Sequence, residues 1–379
     1  VALLVLAEQP LLNNWSPVTM GLTHVITLGF LTMTLFGSFY LLVPLRLGRR
    51  IKAPRLVYVV YGTFTIGSVF MSIGLAGVAV TPVFIAVGGL FPALGCFFWP
   101  AIGSLRGTRE LSAATPLRLA VGAFLAVAFI GIWVAHGHGG MKFPGPRGVW
   151  IEVKLAIALL GWIGAMSTAA FDCFSRDESS KPDDTLPIMS IWWGRLLWIG
   201  IVAPIVLLGL QYLTLIEISL ETATWTATAC IAPAVIATWL IQPVYGLRRL
   251  KDPTHRIAEP HYWQTAFALA PVALGLGVTA LILPQPVWRI AFGWVALWGW
   301  AGLLVHAILR EFTGHRRSGT KPEPSEDGPR DLAYPLHLLS LGLGVAAIAT
   351  GNPALARVTG AVLLALGIVQ IHRLVRQKR

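Results

Sequence analysis

His24, in the stretch THVITLGF, and the pair His136 and His138, in HGHGG, are the residues of this sequence best suited to chemistry. A neutral imidazole is a common ligand for iron, copper and zinc, and in a dry helix bundle it is among the few side chains that can hold them. The glycines of HGHGG let the backbone turn and present both rings to one point. Together with His24 they outline an outer-leaflet heme or metal site. Two histidines without a third and fourth ligand define no coordination geometry, so two unrelated histidines at a wet span end is the competing reading. Glu152 and Lys154 come next, because an ionisable group inside a membrane span is costly and marks a site by default. Their i, i+2 spacing sends them to different helix faces, and Lys154 also reads as a side chain snorkelling to the headgroups. His306, His337 and His372 lie toward the opposite side. His306 and His337 read as satisfied interfacial residues, and Arg195 and Arg289 as anchors near span ends. The sequence has no Walker A motif, no GxGxxG after a strand, no HExxH and no CxxCH, which disfavours ATP-driven transport and zinc proteolysis. Cys96, Cys173 and Cys230 have no CxxC spacing and read as small packing residues.

The elements that position these residues are membrane helices. Of 379 residues, 55% are hydrophobic and only 12% charged, with a mean hydropathy of +0.71, too little polar surface for a soluble domain. The apolar residues fall in runs of about twenty, the length of an α-helix that crosses a bilayer. Complete spans are predicted at 20–45, 55–78, 79–104, 116–136, 149–172, 190–214, 223–247, 263–283, 286–310, 334–350 and 353–374. Val1 to Ala7 is apolar and reads as the end of a further span, which predicts an all-α bundle of about twelve transmembrane helices, the first truncated. The net charge of +12 belongs to topology and not to nucleic acid, because the basic residues sit in alternate linkers. Arg46 to Arg55, Arg106 and Arg109, Arg176 and Lys181, Arg248 to Arg256, Arg316 to Arg330 and the tail Arg373 to Arg379 all fall on one side, while the other set of linkers holds only Lys142 and Arg147. The positive-inside rule then puts both termini in the cytoplasm. Trp15, Trp99, Trp150, Trp225 and Trp288 sit near span ends as interface anchors. Segment 313–331 is the one long polar linker and reads as a flexible cytoplasmic loop within a single integral membrane domain over 1–379. Glycines such as Gly62 and Gly67, Gly88 and Gly89, and Gly299 and Gly302 permit close helix packing in lipid.

THVITLGFLTMTLFGSFYLLVPL (23–45) resembles the His-bearing second helix of the heme-copper oxidase subunit I-like superfamily, especially its compact NnrS-type members. KLAIALLGWIGAMSTAAF (154–171) looks like their sixth helix, FGWVALWGWAGLLVHAILREF (292–312) like their tenth, and LHLLSLGLGVAAIATGNPALARVTGAVLL (336–364) like their last two. The resemblance runs in order over nearly the whole chain and implies twelve helices with both termini inside. It also implies that His24 is a heme ligand, since it matches the second-helix histidine of that superfamily. Other ligands are missing. Lys154 stands where relatives open the sixth helix with His, WTATACIAPAVIATWL has no counterpart of the seventh-helix His pair, and the tenth helix has no HxH at its outer end. A copper-B centre is therefore disfavoured and at most one heme b is implied. Its second axial ligand is unassigned, with His136, His138 and a deprotonated Lys154 as candidates. The expected protein is a bacterial inner-membrane, heme-binding redox or nitric-oxide-response component, oxidoreductase-like if heme is bound. Its partners are the lipid bilayer and other membrane subunits or electron-transfer proteins, with no nucleic acid. The alternatives are a metal-free structural subunit of a larger respiratory-type membrane complex and a small-solute transporter with Glu152 and Lys154 near its pathway. The transporter calls for broken helices in inverted repeats, and no Gly/Pro-interrupted pair of that kind stands out.

Overall fold

The computed structural model describes residues 16–77, 81–107, 114–138, 147–175, 185–212, 219–251, 257, 259–283, 285–318 and 331–376. Among these residues every regular element is helical. Eleven helices are long and apolar enough to cross a membrane: α1 Pro17–Leu45, α2 Leu56–Leu75, α3 Thr81–Leu105, α4 Ala114–Ala135, α5 Gly148–Phe174, α6 Trp193–Gln211, α7 Trp225–Leu250, α8 Pro260–Ile282, α9 Pro286–Thr313, α10 Ala333–Thr350 and α11 Pro353–Arg373. Each matches one of the complete spans expected from hydropathy. The chain is a multi-pass α-helical membrane protein. The expected truncated span over Val1 to Ala7 lies outside the described residues. Several helices run on past their apolar stretch, among them α4, which continues as Ala114–His138, and α9, which reaches Ser318 in the segment read as a loop. Residues 319–330 of that segment lie outside the described residues.

Lipid offers no hydrogen bonds, so the backbone satisfies itself within each helix and side-chain hydroxyls must do the same. Thr27 donates to the Thr23 carbonyl at 2.7 Å, Ser72 to Ser68 at 2.8 Å and Thr359 to Leu355 at 2.8 Å. The helix ends carry recognisable caps. Ser16 accepts the Thr19 N–H at the start of α1, and Gly48 and Gly351, at φ of 60° and 63°, close the helices they follow in the left-handed conformation that glycine adopts freely. Four helices contain a π-helical segment: Val25–Thr32 in α1, Ile157–Gly164 in α5, Ala237–Ile241 in α7 and Val295–Ala301 in α9. Such segments are rare and recur at functional sites.

The chain forms two compact units. The first joins Val1–Leu31, Ser68–Ile85 and Ile257–Arg379, so it holds the start of α1, the α2–α3 turn and α8 to α11. Helix α9 is its most enclosed element, with 83% of its apolar stretch buried. Trp294 and Trp298, one turn apart on α9, donate their indole N–H groups to the Leu341 carbonyl at 3.2 Å and to Ser340 Oγ at 2.8 Å, which fastens α9 to α10. The second unit, Thr32–Gly67 and Ala86–Arg256, has an aromatic core. Phe36 meets Phe64 at 4.9 Å and Phe97 at 4.4 Å between centroids, and Phe124 stacks on Trp162 at 4.6 Å, so single residues from α1 to α5 converge on one cluster. At one end of this unit Arg249 of α7 pairs with Asp172 of α5 at 3.1 Å.

Candidate functional site

His24 stands about two turns into α1, half-buried, just before the π-helical segment Val25–Thr32. Its Nδ1 lies 2.8 Å from the Met20 carbonyl. A carbonyl oxygen only accepts, so Nδ1 carries the proton and Nε2 carries the lone pair. Ligating histidines commonly have this arrangement, in which the backbone fixes the tautomer and leaves the outer nitrogen to bind. Gly29, five residues on, has no atom within 4 Å of the place a Cβ would occupy, so the helix surface beyond the ring is open. Gly21 holds this end of α1 close to α2, since a Cβ there would stand 2.9 Å from the Ser72 carbonyl.

His24 belongs to the first unit, whereas Lys154 and the helix that ends in His136 and His138 belong to the second. Lys154 is half-buried on α5, and its stem crosses Gly131 of α4, with Cδ 3.8 Å from where a Cβ would be. Glu152 is exposed on another face, as the i, i+2 spacing predicts. His136 and His138 close the helix Ala114–His138, and their side chains lie outside the described residues. Among the expected anchors, Trp99 and Trp225 are 74% and 63% exposed, but Trp150 is only 5% exposed because its ring packs against Trp133 at 5.8 Å.

The largest departure from the sequence reading concerns His306 and His337. They are 3% and 0% exposed, with their rings in edge-to-face contact at 4.8 Å. Helix α9 carries His306 into the middle of the first unit, and α10 brings His337 beside it. His337 lies flat against the Trp298 indole at 4.4 Å and 12°, and its Nε2–H donates to the Trp298 carbonyl at 3.0 Å. His306 meets Phe30 at 5.2 Å and Tyr262 at 6.1 Å, and the Gln370 side-chain amide approaches its Nε2 at 3.3 Å. The Nδ1 of each ring is buried without a hydrogen-bond partner among the described residues. Gly302 makes room for the pair, since a Cβ there would come within 3.1 Å of His337 Cε1.

One turn from His306, Arg310 reaches Asp331 at 2.6 Å, and Arg373 reaches the same carboxylate oxygen at 2.8 Å. Tyr262 donates to the other oxygen of Asp331 at 2.9 Å. Sequence spacing held a signal for this cluster. His306 and Arg310 stand four apart on α9, His337 and Ser340 three apart on α10, and Gln370 and Arg373 three apart on α11, so three apolar helices each show one polar face. Glu259, His261 and Asp331 also offer ligand atoms within 4.8 Å of one another at this end. They suit a divalent cation poorly, because Asp331 already neutralises two guanidiniums and accepts from Tyr262. Comparison with protein-family models, with curated proteins and with solved structures gives no match.

Proposed function

We propose that this chain is a redox or nitric-oxide-response component of a bacterial inner membrane, similar to heme-copper oxidase subunit I and holding one heme b with His24 as an axial ligand. The observation that carries the reading is the His24 tautomer: the Met20 carbonyl accepts a hydrogen bond from Nδ1–H, so Nε2 is the nitrogen that would hold a metal. Gly29, five residues on, leaves open space where a side chain would otherwise stand. Bound heme would supply one-electron transfer, and the protein would tune it through the identity and orientation of the axial ligand. A second reading, a metal-free structural subunit of a larger membrane complex, is favoured by Lys154, which stands where the resemblance expects a histidine.

The test is a reduced-minus-oxidised spectrum of the protein purified in detergent. The expected result is a b-type α-band that is lost in His24→Ala and kept in His372→Ala. A colourless preparation that co-purifies in fixed ratio with other subunits would replace the first reading with the second.

A further inference from the structure

The His306–His337 pair combines three features that a merely structural pair does not need. As the side chains stand, the Gln370 amide nitrogen donates to His306 Nε2, so the neutral His306 ring bears its proton on Nδ1, where no acceptor meets it. His337 gives its Nε2–H to the Trp298 carbonyl and keeps a lone pair on Nδ1, where no donor meets it. One ring holds an unshared proton and the touching ring an unshared lone pair.

Aromatic rings pack around the pair. The Trp298 face stacks on His337 at 4.4 Å, and Phe30 and Tyr262 flank His306. Aromatic faces attract a desolvated cation, most strongly tryptophan. The charged and titratable groups nearest the pair include Arg310 and Glu311 on α9, Glu259, His261 and Tyr262 at the start of α8, Asp331 and Tyr334 at the start of α10 and Arg373 on α11; the nearby stretch of α1 offers Phe30. These groups lie toward one end of the unit, with Tyr262, Gln370 and Arg310 between Asp331 and His306.

We propose that His306 and His337 are a proton-transfer pair inside the membrane, loaded from the end of the bundle that carries Asp331. A proton delivered by water forms an N–H bond at His306 Nε2 as the Gln370 amide swings away. The N–H bond at His306 Nδ1 breaks, and its proton forms a new N–H bond at His337 Nδ1, directly or through one water. No electron moves, and the positive charge comes to rest on the imidazole stacked against Trp298. The transfer makes no use of His24 or heme.

The test is nitrogen NMR of the full chain in detergent with ¹⁵N-labelled histidine, titrated from about pH 4 to about pH 9, the range in which imidazoles take up protons. One imidazole of the pair should gain a proton within this range while the second stays neutral, since two adjacent buried rings do not both take a charge. Exchange broadening should link the two Nδ1 signals. His306→Asn should abolish that broadening and move the His337 midpoint by at least one pH unit. Gln370→Leu, which leaves both rings in place, should change the tautomer of His306. The exposed His372→Asn should leave both effects intact. Fixed neutral tautomers for both rings throughout, or an unchanged His337 midpoint in a monodisperse His306→Asn protein, would overturn the proposal. The heme reading could then still stand, as it rests on a separate spectrum.

Discussion

Asp331 shows how much a single side chain carries here. Its carboxylate binds Arg310 and Arg373, which are 14% and 22% exposed, and accepts from Tyr262 and from the Ala333 N–H. Asp331→Asn removes a carboxylate charge that two largely buried guanidiniums share, and losing one partner of a buried ion pair costs about 3–5 kcal/mol. The variant should melt well below the parent in a detergent thermal-unfolding scan, whereas Glu152→Gln, on an exposed side chain, should leave the midpoint in place. Gly344→Ala tests packing instead. An added Cβ would overlap the Trp294 indole and disturb its hydrogen bond to Leu341. Overpacking of this kind costs about 1–3 kcal/mol and should also lower the melting midpoint. At this scale the sequence was legible only in part. His24 stood out because an ionisable ring in an apolar run is conspicuous. His306 and His337 were equally conspicuous, but one sequence does not say which helix face is enclosed. Burial depends on partners far along the chain, and α9 turned out to be wrapped on nearly every side.

The helices themselves could be read from composition, because lipid allows a spanning backbone so few solutions. All eleven spans follow the apolar runs. Small residues were a less certain guide to where helices touch. Gly67 and Gly89 mark a true close approach, since a Cβ on Gly89 would lie 3.2 Å from the Gly67 nitrogen and the Thr63 carbonyl, but Gly62 and Gly88 face open space. Gly89→Val should therefore force α2 and α3 apart, at a cost of about 1–3 kcal/mol, while Gly88→Val should be tolerated. Paired thermal-unfolding scans in detergent would check this, and equal losses in both variants would contradict the packing described. The π-helical segments were invisible in advance. Hydropathy is blind to whether a turn closes on the fourth or the fifth residue, and the segments are as apolar as their flanks.

For the molecule as a whole, the sorting of basic residues gives the orientation prediction. With the native cysteines replaced, single cysteines at Arg50 and at Lys251 should react with an impermeant maleimide from the same face of a sealed vesicle, and one at Asn352 from the opposite face. Labelling of the first two from opposite faces would remove a span from the count. The two units also differ in character. One is built on an aromatic core with an ion pair at its end, and the other holds a polar ladder from Asp331 through His306 to Ser340. Their lengths carry a further consequence. The four helices with π-helical segments, α1, α5, α7 and α9, have 29, 27, 26 and 28 residues in their apolar stretches. A turn closed at i+5 uses an extra residue for roughly the same climb. Residue number is thus a poor ruler of bilayer thickness for this protein, and the surplus in those four helices need not signal tilt or a thicker membrane.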